Sequence, residues 1–161
     1  MADSACGLAA DTKVETPEGA MTIRAAAGKA IAVFTRDTTG RVRFRLMQDV
    51  RKTAEQQLVL KITLETGAAF RVAPQQVLFK KGLVECRADA LQVDDELEPT
   101  FMYPADYQFT DDTSRGVRRS TGSLRVKHIE PAGTADVYTL GVNQTGCFFL
   151  TAGVLCKAEA S

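Results

Sequence analysis

Tryptophan is absent from this chain of 161 residues, and histidine occurs once, at His128. A zinc site built on histidine pairs is therefore not expected, and a neutral-pH general base has a single obvious candidate. The four cysteines, Cys6, Cys86, Cys147 and Cys156, form no Cys-x-x-Cys pair. They suggest neither a metal ligand set nor a redox couple, and are expected to pack as reduced, small hydrophobes. An excess of one charge is also missing, since Lys plus Arg and Asp plus Glu number 20 each. No overall field steers the chain toward nucleic acid or an anionic membrane. The local exception, Arg115, Arg118, Arg119, Arg125 and Lys127, follows Asp111 and Asp112 and carries no aromatic ladder. It reads as a solvated loop rather than a phosphate-binding patch. No apolar run approaches the roughly 18 residues of a membrane span. Met1 to Cys6 lacks the basic start and apolar run of a signal peptide. The expectation is a cytoplasmic protein with no cofactor, no metal, no nucleic-acid partner and no membrane partner.

Hydrophobic residues at 45% and charged residues at 25% are enough for one packed globular domain over residues 1–161. The dominant pattern is short alternating strands broken by turn signals. Thr12 to Thr16 alternates and stops at Pro17-Glu18-Gly19. Ile31 to Thr35 is an apolar run ending at Asp37-Thr38-Thr39-Gly40. Arg41 to Leu46 places Val42, Phe44 and Leu46 on one face, and Leu58 to Leu64 does the same for Leu58, Leu60, Ile62 and Leu64. Glu65-Thr66-Gly67 then turns the chain back into Phe70-Arg71-Val72, a β-hairpin. Gln76 to Phe79, Leu124 to Ile129, Val137 to Val142 and Cys147 to Leu150 supply further strands. Only Met21 to Gly28 and Glu85 to Gln92 have room for about two helical turns each. The fold class is all-β.

A nine-residue echo hints at two related halves. Gly19-x-x-x-Ile23-Arg24-Ala25-x-Ala27 recurs as Gly82-x-x-x-Cys86-Arg87-Ala88-x-Ala90, each copy after a strand and before another. Residues 100–123 differ from both flanks, being polar, broken by Pro104, Gly116 and Gly122, and without sustained period. A loop of that length in a compact domain is typically functional, disordered or an insertion point.

Four segments, in order, resemble the Hint domains of inteins and hedgehog autoprocessing proteins. Ala9-Ala10-Asp11-Thr12-x-Val14-x-Thr16-Pro17-x-Gly19 is similar to their opening block. Thr63-x-Glu65-Thr66-Gly67 through Phe70-Arg71-Val72-Ala73-Pro74-Gln75-Gln76-Val77-Leu78 is similar to the second, where a hairpin leads to a Thr-Pro-x-His turn. Ala90 to Leu97 resembles the family's leucine, glycine-aspartate, hydrophobic turn. Asp136 to Val142 and Cys147 to Leu155 resemble the closing blocks, which usually end in His-Asn. The resemblance implies a horseshoe of short strands with pseudo-two-fold related halves, and places the 100–123 segment where many inteins carry an endonuclease.

It also implies a chemistry. In that family a cysteine or serine on the first strand attacks the preceding carbonyl, a second-block histidine acts on the scissile amide with a threonine beside it, and a terminal asparagine cyclises. Here the nucleophile position holds Gly7, and Cys6 lies one residue further out, able to serve only if the chain bulges. The threonine and histidine positions hold Ala73 and Gln76, and the closing-block histidine position holds Cys147. Lys157 and Ala158 stand for the terminal His-Asn. Alanine offers no side-chain hydrogen bond, glutamine is no acid or base at neutral pH, and alanine cannot cyclise. His128 sits in Leu124-Arg125-Val126-Lys127-His128-Ile129, either as a substitute base or as an ordinary half-exposed strand histidine.

Three functional readings stay open. One is a Hint-like domain that has lost splicing and autoproteolysis and serves as a binding or structural module, with a peptide or protein as partner. A second is a residual, single-turnover autoprocessing domain. Cys6 would form a thioester with Ala5, and water would release the residues before it. In the third the likeness is topological only, and the protein is an unrelated β-barrel or sandwich.

Overall fold

The computed structural model describes residues 7–37, 39, 41–98, 108–111, 116–119 and 124–158. These residues form fourteen strands and two single-turn 3-10 helices, with no α-helix among them. The first block runs β1 (Leu8–Ala9), β2 (Lys13–Thr16), β3 (Gly19–Thr22), β4 (Ile31–Arg36), β5 (Val42–Leu64) and β6 (Ala69–Val72). It continues through β7 (Val77–Lys80), β8 (Val84–Arg87) and β9 (Glu96–Leu97). A small hairpin, β10 (Gln108–Asp111) and β11 (Gly116–Arg119), falls in the segment expected as loop, the rest of which lies outside the described residues. β12 (Leu124–Val142), β13 (Cys147–Phe149) and β14 (Leu155–Lys157) close the chain.

A ten-stranded sheet runs in the order β13-β14-β7-β9-β12-β1-β6-β5-β4, with β8 against β7. Its spine is the antiparallel pair β5 and β12, 23 and 19 residues long. The register between them shifts five times, including the step from Pro131 to Thr134. Gly133 sits inside that step at φ 73°. Such bulges tighten the twist and bend a long ribbon, and a proline is tolerated there because the ladder is already interrupted.

The bends decide which side chains reach the core. Ile62, Leu64, Val72 and Leu78 lie in the main core with Leu8, Leu140, Phe148 and Leu150. Past the bulge the opposite face is buried instead. Val59 joins Ala9, Ala73 and Val137 in a second small cluster. Leu58, expected inside with Leu60, is 50% exposed. Val42, Phe44 and Leu46 do share one face, but Phe44 and Leu46 are exposed and Phe44 packs only against Phe34, centroids 4.6 Å apart.

The two stretches expected as short helices are hairpin arms followed by a turn. Gly19–Thr22 pairs with β2 and leads into a 3-10 turn at Arg24–Ala26, whereas Val84–Arg87 pairs with β7 and leads into Ala88–Ala90. Gly19 (φ 116°) and Gly82 (φ 87°) open the second arms, a conformation glycine adopts without steric cost. The sequence echo thus corresponds to a repeated unit of hairpin, single turn and strand, one copy in each half.

The two ends of the sheet meet. Thr35 Oγ1 on β4 donates to the Cys147 carbonyl on β13 at 2.7 Å and lies 2.7 Å from Thr145 Oγ1. Cys147 Sγ faces the Arg36 carbonyl at 3.3 Å.

Candidate functional site

The residues that the motif resemblance assigns to catalytic positions lie just before β1, in the turn before β7, on β13 and at the end of β14. β1 pairs with β12 through Leu8 and Tyr138, and with β6 through Leu8 and Val72. Gly7 precedes it, buried, with its carbonyl accepting the Ala73 N–H at 2.9 Å. Its φ is 146°, outside the range comfortable for a residue with a Cβ. A Cβ at this position would lie 2.3 Å from the Tyr138 carbonyl oxygen and 2.8 Å from Val137 Cγ1. Backbone, rather than a movable side chain, fills the space a nucleophile would need. Cys6 lies outside the described residues.

Gln76 is 4% exposed and ends the turn that begins at Ala73, its N–H donating to the Ala73 carbonyl at 3.0 Å. Its side-chain amide donates to the Lys157 carbonyl at 2.8 Å and to the Val77 carbonyl at 3.0 Å. Gln76 therefore ties the end of β14 to β7 through the Lys157 carbonyl. Ala73 is wholly buried in the small cluster with Ala9 and Val137. Ala158 is buried, held by its N–H on the Gly146 carbonyl at 2.8 Å. The Lys157 side chain turns outward to Glu85, 3.0 Å away.

Gly7, Gln76, Lys157 and Ala158 thus converge on one crevice, whose remaining wall is Leu8, Tyr138, Thr139, Leu140 and Phe148. Its atom-free space is only about 150 Å³, open mouth included. Three described candidates do not line it, and Ala73, in its own small cluster, is the first. Cys147 points to the other face of β13, into a cluster with Phe149 and Leu155. His128 is exposed on β12 opposite Thr63, at the far end of the ribbon from Tyr138. Tyr138 and Thr139 belong to the crevice and were not singled out in the sequence, where they read as ordinary strand positions.

The described cysteines Cys86, Cys147 and Cys156 are unpaired. Burial pushes the Cys156 thiol well up, and burial is also the main cause of the rise at Cys86, so neither favours a thiolate. Among the described residues no three His, Cys, Asp or Glu side chains gather closely enough to hold a metal ion. None of their helices is long and apolar enough to cross a membrane.

No protein-family model and no curated protein matches this sequence. Solved structures do. The chain superposes on a G-1F mutant of the Ssp DnaB mini-intein variant M86 with a TM-score of 0.76 at 12% identity, over 97% of this chain and 100% of that one. For a DnaB intein from Synechocystis sp. PCC 6803 the values are 0.74 and 14%, over 97% and 100%. For a bacterial intein-like domain from Clostridium thermocellum they are 0.68 and 19%, over 96% and 99%. Identities this low speak for the architecture alone, and they agree on it along nearly the whole chain: the protein has the all-β Hint fold of inteins, and is intein-like in that sense.

Proposed function

We propose that this intein-like domain no longer splices or cleaves itself and acts as a binding or structural module. The observation that carries the reading is Gly7. Acyl transfer needs an attacking atom on a side chain next to the scissile carbonyl, and at Gly7 a Cβ would already overlap the Tyr138 carbonyl at 2.3 Å. The neighbouring positions support it. Gln76 spends its donor on the Lys157 carbonyl and has no ionisable proton near neutral pH. Ala73 supplies no hydroxyl, and Ala158 no carboxamide to cyclise.

The test is the intact mass of the protein after prolonged incubation with a thiol or hydroxylamine, beside Cys6→Ala. Both masses are expected to stay unchanged. Loss of the residues before Cys6 from the parent alone would show a thioester at Cys6 and overturn the reading.

A further inference from the structure

A second groove lies away from the Gly7 crevice. It holds about 1220 Å³ of atom-free space, open mouth included, against about 150 Å³ at the crevice. One wall is the outer face of β5 and β6, with Lys61 and Arg71. The other is Asp11 to Lys13 and the turn at Thr151. Ala68, Ala69 and Ala152 leave the floor open, since none projects beyond a methyl group.

Two independent features point to an occupant. The first is a free stretch of sheet edge. Leu64 N–H donates to the Ala68 carbonyl, and β5 and β6 pair Ile62 with Phe70 and Leu60 with Val72. Alternation then turns the backbone groups of residues 68, 70 and 72 toward β5, and those of 69, 71 and 73 away from it. Two contacts agree with this parity. Ala73 N–H meets the Gly7 carbonyl, and the Arg71 carbonyl accepts the Thr12 hydroxyl at 2.6 Å. β1 reaches β6 only at Val72, so among the described residues no strand lies beside the N–H and C=O of Ala69, which parity turns toward the groove. An open edge of this kind is a template for an added strand.

The second feature is charge. Lys13 and Lys61 form no ion pair among the described residues. Asp11, the one acidic side chain lining the groove, is bound to Arg71. That hydrogen bond holds its carboxyl below the ordinary range. The rim carboxylate Glu15 is turned to the Thr151 hydroxyl at 3.3 Å. The lining residues therefore carry a net positive charge, three cations to one carboxylate, with Glu15 at the rim and Glu130 cross-strand from Lys61 as flanking carboxylates.

We propose that this groove binds an extended acidic segment of a partner protein. Its backbone would bond to Ala69, and its carboxylates would face Lys13 and Lys61. A free phosphate or a lipid headgroup would meet the lysines but leave the Ala69 edge unused. The assignment gives a partner class to the binding-module reading and rests on it. The two fail separately, because one is read by mass and the other by binding.

The experiment is fluorescence anisotropy of the intact protein with a labelled peptide alternating Glu and Val, and with a Lys and Val counterpart. The acidic peptide is expected to bind, more weakly at high salt. The double variant K13E/K61E is expected to bind it about tenfold or more weakly. Methylating the peptide's backbone nitrogens at every second residue should abolish binding in one parity and spare it in the other, because an added strand bonds through alternate residues. The proposal is overturned if the acidic peptide does not bind, if the basic peptide binds equally, or if both methylated parities bind alike. Unchanged intact mass in the same samples keeps the question of catalysis apart.

Discussion

The outer edge of β6 meets two different fates within five residues. At Val72 and Ala73 it is taken by β1, and the resulting contacts are main chain on main chain, closing over Gly7. At Ala69 the same edge is left open beneath lysines. The first region is shaped by packing and tolerates no added atom. The second is shaped by charge and space. The place the family uses for chemistry is thus the most constrained part of this edge, and the place with room for a ligand is one the family motifs do not mark.

Substitutions at the two regions should separate sharply. Gly7→Cys, which restores the family's residue type, is expected to lower stability by about 3 kcal/mol, from backbone strain and overlap with the Tyr138 carbonyl. A fall in the urea midpoint with no hydroxylamine-sensitive cleavage is the expected result. A variant that keeps the parental midpoint and cleaves would erase the contrast. Gln76→Ala should cost about 1 kcal/mol, because the part-buried Lys157 and Val77 carbonyls lose their donor. Hydrogen exchange should report it as lost protection along β14.

On the groove side, Lys61→Glu should lower stability by less than about 1 kcal/mol, because the site is exposed but the new carboxylate would face Glu130. The smallest effect is in acid. The Arg71 hydrogen bond lowers the Asp11 pKa in the folded state, below an unfolded value of about 3.9. Its stabilisation is present above that unfolded value and is lost as pH falls through the lower folded pKa. Carboxyl chemical shifts should place the Asp11 midpoint below that of a free aspartate, and Arg71→Ala should return it upward.

Alternation was enough to find β2 and the β5–β6 hairpin, whereas β4 and β13 were legible as short apolar runs. Alternation failed between Met47 and Gln57. That mostly polar stretch shows no period and carries no strand expectation, yet it pairs with residues 135–142 of β12. Strands joined this way are stabilised by the partner ladder rather than by their own pattern. The bulge at Gly133 defeated the reading of Leu58, since a register step swaps the buried face. At the site, motif order located Gly7, Gln76, Lys157 and Ala158, which the fold does bring together. Why Gly7 must be glycine lies in the approach of Tyr138, 131 residues away in the chain, and no local signal carries that. Lys13, Lys61 and Arg71 each look like an ordinary outward strand residue until three strands place them round one groove.

The spine also sets the order in which the molecule can assemble. β12 supplies a ladder partner to β1, β5 and β9 at once, so three strands of the first hundred residues wait for one that is synthesised after them. Thr35 likewise waits for Cys147. With so many pairings spanning most of the chain, loop-closure entropy must be met before much of the apolar surface is covered. A topology of this kind is expected to fold slowly and as one unit, with strand edges of the first block open until β12 has been made.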